Sequence, residues 1–145
     1  VFDVVAMTAS KIVLLDSIIS NIDRTVKNTN LLHWNKELWV IDNGASFYFH
    51  HNWDTWENHL TRTFPLIKDH VLLKSASHLK EASQEITNKL SLDVIDDIIS
   101  NIPEEWLIEE SNTLSPIELR TAYASYLNAK LNMIDTLVKE AEDAR

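Results

Sequence analysis

The stretch from Asn21 to Ser46, NIDRTVKNTNLLHWNKELWVIDNGAS, constrains this chain more than any other. Leu31 to Trp34 and Glu37 to Ile41 favour extended backbone, and they flank Asn35-Lys36, which suits a two-residue hairpin turn. Two short strands joined in that way bring their outer ends together. Asp23, Asn28 and Asp42 sit at those ends, so three oxygen-bearing side chains are expected to converge. The only glycine in 145 residues, Gly44, follows Asp42 by two places. Its isolation predicts a positive φ or a close backbone approach there. A two-stranded hairpin is marginal alone, so it must pack on helices, with Leu32, Leu38, Trp39 and Val40 as the expected contacts.

Everything around this stretch reads as helix, so the expected fold class is mainly α with one short β-hairpin. From Val4 to Ile22 the residues Val5, Ile12, Leu15, Ile18, Ile19 and Ile22 recur at helical spacing, which puts Asp16 and Ser20 off the buried face. Phe47 to Trp56 is densely aromatic and is read first as a structural cluster, with a nucleotide-base or peptide platform as the alternative. His50 and His51 are adjacent, should diverge, and do not suit a shared metal. Pro65 to Leu73 predicts a short helix, and Ser77 to Leu90 a helix with Ser77 in a capping position. A further helix starts at Ser91 or Leu92, buries Val94, Ile95, Ile98, Ile99 and Ile102, and stops at Pro103. Trp106 and Leu107 should then pin a loop to the core. Ser115, Pro116 and Glu118 mark the start of a last helix that nothing interrupts before Arg145. The acidic run at 140–143 reads as a solvated helix end.

Composition narrows the class. The chain is long enough for one core, and no repeat or Gly/Ser linker divides it, so residues 1–145 are expected to be one unit, 1–56 carrying the site and 57–145 the helical remainder. A formal net charge of −9 argues against nucleic acid and against anionic membrane as partners. The absence of cysteine removes disulfides and cysteine-ligated zinc, and fits a cytoplasmic location. The first 22 residues carry Asp3, Lys11 and Asp16, too many charges for a membrane span or a secretory signal.

The spacing of the three polar residues suggests a chemistry. An Asp, four residues, an Asn, a hairpin and then Asp-Asn-Gly is the layout of a kinase catalytic loop followed by its metal loop. On that reading Asp23 orients the acceptor hydroxyl and takes its proton, while Asn28 and Asp42 hold Mg²⁺ with phosphate oxygens and water. Asp and Asn also cap and turn loops routinely. The joint arrangement, with Gly44 and the hairpin, favours the catalytic reading. Arg24 and Lys27 can each approach phosphate; the alternative is a salt bridge to a neighbouring acid, preferred for Lys27. A Mg²⁺-dependent hydrolase lacks support because no second carboxylate pair is present.

The runs DRTVKNTNLL at 23–32 and LWVIDNGASFYFHHNW at 38–53 resemble the HipA-like kinases, as do IPEEWL at 102–107 and AYASYLNAKL at 122–131. The resemblance spans about Leu14 to Leu131, and D-R-x-x-x-N-x-N and I-D-x-G-A are its most specific parts. It implies the C-terminal lobe of a protein-kinase-like fold and ATP- and Mg²⁺-dependent phosphoryl transfer to a protein hydroxyl. Thr25 stands where protein kinases usually carry a lysine, and Asn43 where family members commonly carry histidine. No glycine-rich phosphate loop and no strand lysine occurs in the chain. The nucleotide-covering N-terminal lobe is therefore expected before Val1 or on another chain. The alternative is a non-enzymatic, pseudokinase-like module that binds a partner protein.

Overall fold

A computed structural model of the protein describes residues 4–145. Asp3, which counted against a membrane span, lies outside the described residues. Helix α1 (Ala6–Ile19) is the central rod. It packs on α2 (Leu79–Lys89), α5 (Pro116–Asn132) and α6 (Ile134–Ala144), while α3 (Leu92–Ser100) and α4 (Glu104–Glu110) lie against α5. Between α1 and α2 run the hairpin strands β1 (Leu31–Trp34) and β2 (Glu37–Val40), followed by four short 3₁₀ turns. Among the described residues no helix is long and apolar enough to cross a membrane.

The position of α1 explains why its periodicity misled. Ile12, Val13, Leu14, Ser17 and Ile18 are buried, and so is Asp16, whereas Val5, Leu15 and Ile22 are exposed. A helix enclosed on nearly all sides has no single apolar stripe to read. It also stops before Ile22, because Ser20 takes a left-handed conformation at φ 51° and its hydroxyl meets the Tyr126 hydroxyl at 2.6 Å.

The hairpin forms with the expected turn. Asn35 and Lys36 both have positive φ, 49° and 68°, the pairing that matches strand twist. Leu31 pairs with Val40, Leu32 with Trp39 and His33 with Leu38. The face that meets the core carries Leu31, Leu38 and Val40. Leu32 and Trp39 lie on the opposite face and are exposed, contrary to the expected contacts.

The later helices follow the sequence with local departures. Pro65 to Leu73 forms two separate 3₁₀ turns, Pro65–Asp69 and Leu73–Ser75. Ser77 does not cap α2; its hydroxyl pairs with His78 Nδ1 at 3.1 Å. Ser91 does cap α3, accepting from the Val94 amide, but only Ile95 and Ile99 of that helix are buried, with Val94 and Ile98 exposed. Residues 104–110 form a helix that buries Leu107 and leaves Trp106 exposed. The reciprocal box of Ser115 and Glu118 starts α5. The expected uninterrupted helix breaks at Met133, φ −105° and ψ 20°. Glu140, at the acidic end, is not merely solvated: its Oε2 accepts the Phe64 amide at 2.7 Å.

Lys130 of α5 is buried at 2% exposure. Its ammonium donates to the carbonyls of His59, at 2.8 Å, and Arg62, and lies 4.9 Å from the Tyr126 ring centre. Burial, offset in part by Glu140, lowers its pKa from 10.5 to about 8. The cost of a buried cation is present in full below pH 8. It is relieved as pH rises towards 10.5, because the unfolded chain then binds the extra proton. Lys130 should therefore contribute about 2 kcal/mol more stability at pH 10 than at pH 8, opposed near pH 10 by Tyr123 and Tyr126, whose pKa values burial raises. Urea titrations across that range check this, with Lys130→Met expected to flatten the slope.

Candidate active site

The loop after α1 is built around Asp23. Asn21, buried behind it, accepts the Asp23 amide at 3.1 Å through its side-chain oxygen. The Asp23 carboxylate accepts Asn28 Nδ2 at 2.7 Å and Asn30 Nδ2 at 3.2 Å, both on Oδ2. The loop closes on itself: the Thr25 amide donates to the Asn28 carbonyl at 2.9 Å, and the Asn28 amide to Thr25 Oγ1 at 3.3 Å. Asn28 therefore spends its amide nitrogen on Asp23 and keeps its side-chain oxygen as an acceptor.

Asn30 joins this loop to the one after β2. It sits in the left-handed region at φ 47°, which an asparagine tolerates. Its Nδ2 lies 3.4 Å from the Asp42 carbonyl as well as 3.2 Å from Asp23 Oδ2. Its own carbonyl accepts the Ile41 amide at 3.0 Å. One side-chain nitrogen thus reaches both segments that sequence reasoning expected to meet. The Asp42 carboxylate is exposed and makes no hydrogen bond or ion pair among the described residues.

Gly44 behaves differently from its expectation. Its φ is not positive; the left-handed residue is Asp42, at φ 49°. A Cβ at Gly44 would meet only Asp42 Oδ1, at 3.5 Å, an ordinary contact. Folding of the loop does not require glycine at 44. What its bare backbone leaves open is space against the Asp42 carboxylate.

Arg24 is also corrected. It is 1% exposed, and its guanidinium is spent on protein partners. Its Nε donates to Asp16 Oδ2 at 2.6 Å, its Nη1 to the carbonyls of Asn30 at 2.6 Å and Ile41 at 3.2 Å, and its Nη2 to Asn43 Oδ1. Arg24 is a brace that ties both site loops to α1. Asp16 supplies the counter-charge, and accepts in addition from Asn21 at 3.2 Å and from His70 Nε2 at 2.9 Å. His70 Nδ1 accepts the Leu72 amide at 3.0 Å, so the ring proton resides on Nε2 and is donated to Asp16. Lys27, by contrast, is exposed, and the salt bridge preferred for it is not formed among the described residues.

Phe49 anchors the aromatic segment in the core, while Tyr48 beside it is exposed. Phe49 is buried 4.4 Å from the Tyr126 ring and 5.6 Å from those of Trp53 and Tyr123, which leaves its faces no room for a base. His50 and His51 do not diverge; their rings meet edge to face at 4.8 Å. Burial lowers the pKa of His50, although Glu110 at 3.7 Å opposes the shift.

Sequence reasoning missed Asn30, Asp16 and His70. Asn30 had a signal, the second Asn of N-x-N. Asp16 and His70 had none, being a helix residue and a loop residue 54 positions apart.

Oxygen donors gather at this loop pair but form no closed cage. Among the described residues no group of three His, Cys, Asp or Glu is placed to hold a metal. The free Asp42 carboxylate and the Asn28 side-chain oxygen suit a cation that keeps most of its shell for water and phosphate.

The family model described as HipA-like kinase matches residues 3–136. The chain belongs to the HipA-like kinase family and is in that sense a kinase-like protein. No curated protein and no solved structure matches it.

Proposed function

We propose that this chain is the catalytic C-terminal lobe of a protein-kinase-like fold and supports ATP-dependent phosphoryl transfer to a hydroxyl of a protein. The observation that carries this reading is the Asp23 carboxylate, held on Oδ2 by two amides and linked through Asn30 to the loop of Asp42. Asp23 Oδ1 has no partner among the described residues and is the oxygen that would receive the acceptor's proton. The acceptor oxygen bonds to the γ-phosphorus as the bond to the β–γ bridging oxygen breaks, and ADP leaves with that electron pair. Asn28 and Asp42 would hold Mg²⁺, which neutralises phosphate charge when bound. Lys27 beside Asn28, and the bare backbone of Gly44 beside Asp42, are the groups we place nearest the phosphates. The glycine-rich cover and its lysine we assign to a second unit, joined to this chain or separate.

Phosphate transfer from labelled ATP to protein, measured on the full-length gene product, tests the reading. Asp23→Asn is expected to lower transfer at least about a hundredfold while the melting temperature holds, because the amide oxygen can still accept from Asn28. Unchanged transfer in that variant, or partner binding with no transfer by the wild type, would leave a pseudokinase-like module instead.

A further inference from the structure

A second feature adjoins the Asp23 loop and is not explained by the chemistry above. A cleft of about 580 Å³ lies between Thr25–Lys27 and the segment from Lys68 to Lys74, with Ala144 and Arg145 also lining it. Lys27, Lys68, Lys74 and Arg145 line it, against a single acid, Asp69. This is a local reversal of charge, since the whole chain has 22 acidic residues to 13 basic ones. The three lysines are exposed and make no ion pair among the described residues, although Lys11 and Lys139 elsewhere each find a carboxylate. Like charges gathered without partners repel, so the fold gains nothing from the arrangement.

The two walls are one rigid piece with the proposed base. The Val71 amide donates to the Arg24 carbonyl at 3.0 Å, and Thr25 bridges to His70. Arg24 and His70 are both buried on Asp16. Lys27 follows Asp23 by four residues, so the cleft starts within about 14 Å of the base, roughly four residues of extended chain.

We propose that this cleft binds acidic side chains of the protein substrate, within about four residues of the hydroxyl that is phosphorylated. The assignment rests on the phosphotransferase reading for the word substrate, but the binding itself does not. Its volume suits a few side chains and not a folded domain. A net charge of −9 disfavours a long polyanion such as RNA, whose field extends well beyond the cleft, whereas two or three carboxylates meet only the local cations.

The experiment measures binding and transfer separately, on the full-length protein carrying Asp23→Asn and on the wild type. Fluorescent serine peptides flanked by Glu, by Gln or by Lys are titrated against the first, and offered as acceptors to the second. The Glu peptide should bind about tenfold more tightly than the Gln peptide, and added salt should erase the difference. Lys68→Glu with Lys74→Glu, two exposed positions whose change should leave the melting temperature in place, should abolish that preference. Equal binding of Glu and Gln peptides, or a preference that survives the double charge reversal, overturns the proposal. So does displacement of the Glu peptide by inorganic phosphate at equal charge concentration, which would make the cleft a phosphate site. A Glu preference in binding with no transfer by the wild type keeps the cleft and sinks the kinase reading. Transfer with no charge preference does the reverse.

Discussion

Asp16→Ala is expected to cost the protein about 3–5 kcal/mol and to lower its melting temperature by about 10 °C. The substitution removes a side chain that carries no catalytic role. It strips the counter-charge from Arg24, a guanidinium at 1% exposure with no other acid among its hydrogen-bond partners. An uncompensated buried charge is far more costly than the pair is worth. The same change orphans Asn21 Nδ2 and His70 Nε2, each a buried donor to Asp16. Because Arg24 also holds the carbonyls of Asn30 and Ile41, both site loops should loosen together. Urea denaturation of Asp16→Ala, Arg24→Met and the double variant would measure this. The double variant should be less damaged than the two single losses added, since removing both charges leaves none buried alone. Additive losses, or a melting temperature unmoved by Asp16→Ala, would show that the network does not hold the loops.

What was legible in the sequence, and what was not, divides along a physical line. The hairpin was legible because its determinants are local: two β-rich runs and a turn pair able to take positive φ. Its inward face was not, since LLHW and ELWV carry apolar residues on both sides and alternation cannot choose between them. The placement of Asp23, Asn28 and Asp42 near one hairpin base followed from strand pairing. The bracing of that base did not, because a carboxylate within an apolar helix reads as a solvent-facing residue until its partners are known. Asp16 meets Arg24 eight residues on and His70 on a distant turn. Likewise the break at Met133 has neither proline nor glycine to announce it, and follows from α6 turning to pack on α1 and α2.

Two replacements of Asp42 separate charge from backbone. Asp42 occupies the left-handed region at φ 49°, its carboxylate is unpartnered, and its carbonyl faces Asn30. Asparagine tolerates that backbone and keeps the shape of the side chain, whereas alanine is strained there by about 1 kcal/mol. Asp42→Asn should therefore leave stability within about 0.5 kcal/mol of wild type, and Asp42→Ala should lower it by about 1 kcal/mol. Phosphate transfer by the full-length protein should fall at least about a thousandfold in both, because the developing phosphate charge loses its ion. The Asn variant retains one oxygen ligand, so the Mg²⁺ concentration for half-maximal activity should rise while some rate returns at high Mg²⁺. The Ala variant has no oxygen to offer and should not recover. A shared loss of rate, with stability kept in the Asn variant and lowered only in the Ala variant, would exclude misfolding as its cause. Wild-type rate and unchanged Mg²⁺ dependence in Asp42→Asn would remove Asp42 from the metal site, and leave Asn28 as the one proposed ligand, too few for the proposed chemistry.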